Sequence, residues 1–268
     1  MKRTYVKLLT VAGLTGCFLF TSCRSAQETT ARYEISKVEG NMITIDSTWD
    51  ANPDKKATTV LKPYKDKVDA MMYEVIGTSE MKMDKGTPES LLSNLVASVL
   101  QEAAAQVLGK PADMGLVNMG GLRNILPKGD ITVGAVFEIL PFENSLCVLT
   151  MKGTDMKRLF KAIASLHGEG VSGIRLEINK KEAICNKKGE LLNATIGGKP
   201  VVDDQLYTVA TIDYLADGNG RMDAFLQAEK RECPEDATLR GLFLDYVRKQ
   251  TAEGKIITSK LDGRITVK

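Results

Sequence analysis

The sequence predicts an α+β fold in which mixed sheets are flanked by helices, and three observations favour it. The chain has 268 residues, 43% of them hydrophobic, which is enough to bury a sizeable core. Strand-like and helix-like hydrophobic patterns alternate along it. They do so without the strict strand–helix–strand repeat that is typical of a parallel α/β fold.

The N-terminal part is predicted to be an extension of the domain, over residues 32–85. Apolar and polar side chains alternate in residues 32–47, around Glu39-Gly40-Asn41, which suggests a hairpin. The segment 48–60 is polar and is expected to be a loop. A helix is expected over residues 63–75, where apolar residues recur at helical spacing. The stretch from Tyr73 to Met83 is expected to be partly extended.

The clearest helix opens the main domain, which we place at residues 86–268. Thr87 is a plausible N-cap, Pro88 suits the first helical position and Glu89 the positive end of the helix dipole. Gly109 is a reasonable stop. The residues that line one face of this helix are Leu92, Leu95, Val96, Val99 and Ala103.

The rest of the main domain alternates between strands and helices. The predicted strands are residues 114–118, 145–151, 173–179, 182–185, 207–212 and a last one near 264–267. The predicted helices are residues 154–164, capped by Thr154 or Asp155, and then 222–228 and 237–250. A further segment, 131–140, has no assigned type.

Composition and charge argue against several classes of function. With 36 Lys and Arg against 34 Asp and Glu, the net charge is +2, so binding to nucleic acid through a broad basic face is not expected. His167 is the single histidine, so sites that need several imidazoles, as most zinc hydrolases and two-metal phosphoesterases do, are not expected either. No CxxC motif is present. No metal ligand set and no cofactor are therefore predicted in this chain.

The first residues are predicted to direct export. Residues 1–22 have a basic start and a 13-residue apolar run at 8–20, too short to span a bilayer as a helix. The run ends in Phe-Thr-Ser-Cys, which resembles a bacterial lipobox, so Cys23 is the expected lipidation site and residues 23–31 a tether. An ordinary signal peptide with an incidental cysteine is the alternative.

A lipid on Cys23 would hold the protein on a membrane of the cell envelope, and we expect the periplasmic face. A signal peptide at the start also argues against an upstream domain lost by fragmentation. Three cysteines then remain, so at most one disulfide forms among Cys147, Cys185 and Cys233. The sequence does not choose the pair, and three separate thiols are equally open.

Three short motifs are candidates for ligand binding. In the first, Asn118-Met119-Gly120-Gly121-Leu122-Arg123, the glycines permit a tight turn and a close approach of backbone to ligand. Arg123 adds a rigid fork of donors. The alternative is a purely structural glycine turn with a surface arginine.

The other two motifs bring aromatic rings. In Leu140-Pro141-Phe142-Glu143-Asn144, Phe142 offers a stacking plane and Asn144 an amide, as a purine pocket requires. In residues 208–220, a strand leads into Tyr214 and then a loop rich in Gly, Asn and Asp. The alternatives are a core Phe with a turn Asn, and a Tyr at the end of a strand.

In this order and spacing, the three motifs resemble the C-terminal domain of the 5′-nucleotidase family over about residues 60–225. The family has N-x-G-G-[IVL]-R, then P-F-x-N about 20 residues later, then a strand of the type YxVATNxFxxxGGDG. In the family this domain binds the nucleoside part of the substrate. A separate N-terminal metallophosphoesterase domain carries two metals and cleaves the phosphate ester.

The resemblance implies roles for residues at matching positions. Phe142 and Tyr214 would sandwich the base, and Asn144 would hydrogen-bond it. Arg123 would hold the ribose side of the substrate. The remaining predicted substrate-binding residues are Asn118, Gly120, Gly121, Asp217 and Asn219.

The sequence also departs from the family pattern. GGDG becomes Gly218-Asn219-Gly220-Arg221, so Gly220 stands where an acidic ribose ligand usually lies, and only Asp217 or Asn219 could substitute. Lysines, Lys82 and Lys85, stand where the family tends to have arginines. The metal-binding motifs DxH and GNH[DE] are missing.

Three hypotheses follow from the resemblance. The first is the substrate-recognition half of a split 5′-nucleotidase, whose separate metallophosphoesterase partner supplies the divalent metals. The second is a non-catalytic, lipid-anchored protein that binds nucleosides or nucleotides. The third is a degenerate domain kept as an interaction module.

Overall fold

A computed structural model of the protein describes residues 34–179 and 189–268. It divides into two compact units, Met1–Asp54 and Lys55–Lys268, which are described separately. The predicted signal peptide, Cys23 and the tether lie outside the described residues, as do the predicted strand 182–185 and Cys185.

The first unit contains no strand among its described residues, so the hairpin predicted around Gly40 is wrong. Residues 34–45 have no regular secondary structure. A short 3-10 helix follows at Ser47–Ala51, which begins at the last residue of the predicted hairpin and continues into the predicted loop. The alternating apolar side chains, such as Ile35 and Val38, are exposed. An isolated two-stranded hairpin is marginally stable in water.

The second unit is built from mixed sheets with flanking helices, as predicted. Its helices are α1 (Lys55–Met72), α2 (Leu91–Ala103), α3 (Ala105–Leu108), α4 (Val133–Ile139), α5 (Gly153–Ser165), α6 (Asp213–Ala216) and α7 (Leu239–Ala252). Its strands are β1 (Val75–Ser79), β2 (Met114–Val117), β3 (Gly129–Thr132), β4 (Leu146–Lys152), β5 (Gly170–Ser172), β6 (Ile174–Ile178), β7 (Leu191–Ile196), β8 (Lys199–Pro200), β9 (Leu206–Ile212), β10 (Lys230–Glu232) and β11 (Ile265–Val267).

Three sheets organise these strands. The largest has the order β10-β4-β9-β2-β5, the second β11-β6-β7-β8, and β1 pairs with β3. In the largest sheet, β2 runs parallel to β9. On the other side of β9, β4 runs antiparallel to β9, with Leu146 opposite Ile212. The ends of β2 and β9 and the start of β4 therefore meet at one edge, and this edge carries the three motifs.

Helix α2 packs on this sheet against β2 and β5, and its predicted apolar face is buried except for Ala103, which is partly buried. The stretch Leu91–Leu108 is long and apolar enough to cross a membrane, but half of it is buried in the fold, as in a core helix. Gly109 ends α3 in the left-handed conformation, with φ 70°.

The predicted start of α2 is wrong by three residues. Ser90, not Thr87, is the N-cap, and its hydroxyl accepts a hydrogen bond from the Ser93 N–H. Glu89 bonds both to the first turn of α2 and to a distant, C-terminal part of the chain. Its carboxylate accepts from Asn94 Nδ2 at 2.7 Å and from the Asp262 N–H at 2.9 Å.

The cap predicted for α5 is also wrong. No side chain caps this helix, and neither Thr154 nor Asp155 is the N-cap residue. Instead the first N–H groups donate to loop carbonyls, Gly153 to Gln205 and Thr154 to Asp203. Tertiary contacts thus satisfy the donors that a helix leaves open at its N-terminus.

Other boundaries also differ from the prediction. Helix α1 starts at Lys55 rather than 63, contains Pro63 and has no buried residue. Residues 222–228 hold a 3-10 helix, Asp223–Gln227, rather than an α-helix. The prediction missed the strands β5, β7, β8 and β10, which are too short or too exposed to give a clear hydrophobic pattern.

The cysteine pair left open by the sequence is Cys147 with Cys233. Cys147 lies in β4 and Cys233 directly follows the edge strand β10. The register that places Glu232 opposite Val148 also brings the two cysteines opposite each other. The disulfide therefore fastens the end of an edge strand to β4, the strand beside it in the main sheet.

Candidate functional site

The glycine motif forms a tight turn at the end of β2. Asn118 follows the strand, and Met119–Gly121 make one turn of 3-10 helix. The Gly121 N–H donates to the Asn118 carbonyl at 3.0 Å. A Cβ atom on Gly121 would lie 3.0 Å from Asn118 Oδ1, so glycine lets the Asn118 amide pack beneath the turn.

Six of the nine predicted substrate-binding residues line one cavity of about 330 Å³. They are Asn118, Gly120, Gly121, Phe142, Asn144 and Tyr214. Phe142 is 48% exposed and Tyr214 is 44% exposed, so both rings keep uncovered faces. A volume of this size lies at the lower end of small-molecule sites, which are typically about 300–1,000 Å³.

A larger cavity of about 700 Å³ lies at the opposite end of β9, near Tyr207 and Asp113. None of the candidate residues from the sequence lines it. The smaller cavity is nevertheless the candidate site, because two exposed rings and two amides converge on it.

Asp213 fixes the amide of Asn144. Asn144 Nδ2 donates to Asp213 Oδ1 at 2.9 Å, and the same oxygen accepts from the Tyr214 N–H at 2.8 Å. Since a carboxylate is an acceptor, this contact turns the amide oxygen of Asn144 away from Asp213. Asp213 thus connects the side chain of Asn144, in the wall of the cavity, to the backbone of Tyr214.

Asn118 presents an unused acceptor. Its Oδ1 atom is buried and has no hydrogen-bond partner. Unsatisfied buried polar atoms are uncommon, and they are usually explained by a missing ligand, a water molecule or strain. Asn118 lines the cavity, and this acceptor atom lies beside Gly121, under the turn.

Two charged side chains that the sequence analysis did not assign to the site hold the glycine turn. Glu169 accepts a hydrogen bond from the Met119 N–H, and Lys85 donates to the carbonyls of Met119 and Leu122. Burial raises the pKa of Glu169 to about 7, against the opposing effect of the Met119 N–H. No local pattern marks these contacts, because they join residues 34 to 50 positions apart.

The other three predicted residues do not line the cavity. Arg123 is exposed, and its guanidinium donates to the Gly120 carbonyl at 3.3 Å. Asp217 forms an ion pair with Arg231 at 2.7 Å. Asn219 is exposed in the loop after α6. Their roles in binding stay predictions.

The sequence pattern of the family described as 5′-nucleotidase, C-terminal domain, matches residues 75–227. This is more than half of the chain, and it includes every residue that lines the cavity. The chain belongs to the 5′-nucleotidase C-terminal domain family. The resemblance inferred from the three motifs is confirmed.

Solved and characterised relatives agree with this assignment. The crystal structure of a 5′-nucleotidase precursor from Thermus thermophilus has a TM-score of 0.66 and 26% identity, over 81% of this chain and 44% of that one. The trifunctional nucleotide phosphoesterase YfkN of Bacillus subtilis is 26% identical over 84% of this chain. The cell wall protein Lmo0130 of Listeria monocytogenes is 26% identical over 81%.

These relatives are much longer than the region they share with this chain. The chain spans 16% of YfkN and 30% of Lmo0130. This chain therefore corresponds to only a part of each of these proteins.

Proposed function

We propose that this protein recognises the nucleoside part of nucleoside monophosphates as one half of a split 5′-nucleotidase. The observation that carries the proposal is the cavity in which two half-exposed rings meet two amides, in a member of this family. Phe142 and Tyr214 stack on the base, and Asn118 and Asn144 hydrogen-bond the bound nucleoside.

In this proposal, a separate metallophosphoesterase cleaves the phosphate ester and binds the divalent metals. The sequence has neither DxH nor GNH[DE], the motifs that hold the metals in the family. Among residues 34–179 and 189–268, no group of three His, Cys, Asp or Glu side chains is arranged to hold a metal ion. The protein would then supply binding and orientation of the substrate, and its partner the nucleophilic water.

We further propose that a lipid on Cys23 holds the protein at the cell envelope, where the partner would meet it. The lipobox-like sequence supports this, and the name of Lmo0130 as a cell wall protein is consistent with an extracytoplasmic family member. Labelling cells with a radioactive fatty acid tests it. Label should enter the protein and be lost in Cys23→Ala.

Calorimetric titration of the purified protein with adenosine and AMP tests the recognition step. We expect binding that Phe142→Ala weakens by about tenfold or more, since stacking contributes about 1–3 kcal/mol per base. Tyr64→Ala is the matched control, because Tyr64 is an exposed aromatic on α1 outside the cavity. It should leave the affinity unchanged.

The titration, combined with a hydrolysis assay and a pull-down, separates the three hypotheses. Binding, together with AMP hydrolysis after addition of an envelope metallophosphoesterase, supports the split enzyme. Binding without a partner in any pull-down favours the non-catalytic binding protein. A folded protein that binds neither adenosine nor AMP contradicts the proposal and favours the degenerate interaction module.

A further inference from the structure

The segment that carries Phe142 and Asn144 is held by the start of α7. The Leu239 N–H donates to the Asn144 carbonyl at 2.8 Å. The Leu146 N–H donates to the Ala237 carbonyl at 2.7 Å. These backbone bonds place the first turn of α7 directly beside the aromatic wall of the cavity.

Arg240 lies in that first turn, and it is only 7% exposed. A buried guanidinium is costly unless its charge is paired and its N–H groups are bonded. Nη1 donates to the Leu140 carbonyl at 3.1 Å, and Nη2 pairs with the Glu143 carboxylate. The guanidinium also stacks over the Phe137 ring, with Cζ 4.1 Å from its centroid.

These contacts of Arg240 all go to residues 137–143, on both sides of Phe142. Leu140 precedes Pro141 and Phe142, and Glu143 follows them. Phe142 is half exposed, so packing around its own ring fixes it only in part. The planar fork of an arginine, rather than the single ammonium of a lysine, can hold both flanks at once.

We propose that Arg240 is a positioning residue that holds the Phe142 segment ready for the nucleoside base. This inference rests on the proposed function, because it assumes that Phe142 stacks on a base. Without Arg240, the Leu140 carbonyl and the Glu143 carboxylate lose their common partner. The segment then has to be ordered when the ligand binds, which lowers the affinity.

The test is a double-mutant cycle on adenosine affinity, measured by calorimetry on the purified protein. Arg240→Met, which keeps the length of the side chain without its charge, should weaken binding about tenfold in the otherwise unchanged protein. In a Phe142→Ala background it should weaken binding by less than about twofold, because the residue it positions is gone. A merely structural role would give equal losses in the two backgrounds.

Two further variants keep the test decisive. Arg248→Met makes the same change on α7, at an exposed arginine that pairs with Glu74, and should leave the affinity unchanged. Glu143→Gln removes the charge partner of Arg240 on a side chain that is 72% exposed, so it should fold and weaken binding about twofold to threefold. If Arg240→Met does not fold, the affinity of Glu143→Gln alone tests whether Arg240 positions the Phe142 segment.

The outcomes separate this inference from the proposed function. If the unchanged protein is folded and binds no nucleoside, both fail. If it binds adenosine through Phe142, but Arg240→Met and Glu143→Gln bind as tightly as the unchanged protein, the inference alone is wrong. Equal losses in both backgrounds of the cycle also overturn it.

Discussion

Asn144 and Asp213 join the start of one strand to the end of another. Asn144 precedes β4, Asp213 directly follows β9, and Asn144 Nδ2 lies 2.9 Å from Asp213 Oδ1. The pairing of Leu146 with Ile212 makes the contact possible. It sets which atom of the amide is available to a ligand.

Replacing Asp213 by alanine should therefore weaken adenosine binding about tenfold, because the Asn144 amide loses its orienting partner and a charge-assisted hydrogen bond. Calorimetry measures the change. Asp204→Ala is the matched control, since this exposed aspartate precedes β9 and lies roughly 20 Å from the site along the strand. Equal losses in the two variants would contradict a role for Asp213 in the cavity.

The buried Glu169 should make stability depend on pH. Its pKa is raised to about 7, so between about pH 4.5 and 7 the folded state binds more protons than the unfolded state. The free energy of unfolding should fall by up to about 3 kcal/mol as the pH rises through this window, and level off above it.

Urea denaturation at a series of pH values checks this prediction. Glu169→Gln should flatten the dependence, whereas Glu235→Gln, at an exposed carboxylate, should preserve it. If the free energy of unfolding of Glu169→Gln depended on pH as it does in the unchanged protein, groups other than Glu169 would cause the dependence. A profile that rises with pH would contradict the sign.

The disulfide should contribute strongly to stability. Cys147 and Cys233 are 86 residues apart in sequence, and cross-links that close long loops typically stabilise by about 2–4 kcal/mol. Thermal unfolding in the presence of reductant should therefore occur about 5–10 °C lower. Cys233→Ser should melt at this lower temperature, and the reductant should have no further effect on it. A reductant effect of the same size in Cys233→Ser would assign the effect to another bond.

The close approach of α2 to β2 should depend on Gly115. A Cβ atom there would lie 2.2 Å from the Ala97 carbonyl oxygen and 2.5 Å from Ser172 Oγ. Gly115→Ala should lower the free energy of unfolding by about 2–3 kcal/mol, measured by chemical denaturation. Gly86→Ala, where a Cβ atom meets nothing within 4 Å, is the control and should change it little. Comparable stabilities of the two variants would contradict this packing.

Local patterns predicted the elements whose side chains repeat in a clear period. The buried face of α2, the apolar strands β2, β4 and β9 and the C-terminal helix α7 could all be read from the sequence. The predictions failed where a distant contact replaced a local one. Ser90 caps α2 while Glu89 bonds to Asp262, and loop carbonyls cap α5.

For the candidate site, the sequence by itself determined the glycine turn, the two rings and Asn144, because turn chemistry and motif spacing are local properties. Only the tertiary structure decided that six of the nine residues share a cavity, through the register of β4, β9 and β2. It also identified the residues that hold the cavity in place: Asp213, Glu169, Lys85 and Arg240. Their contacts join segments 34 to 100 residues apart, and a hydrogen bond across such a separation leaves no periodic trace in the sequence.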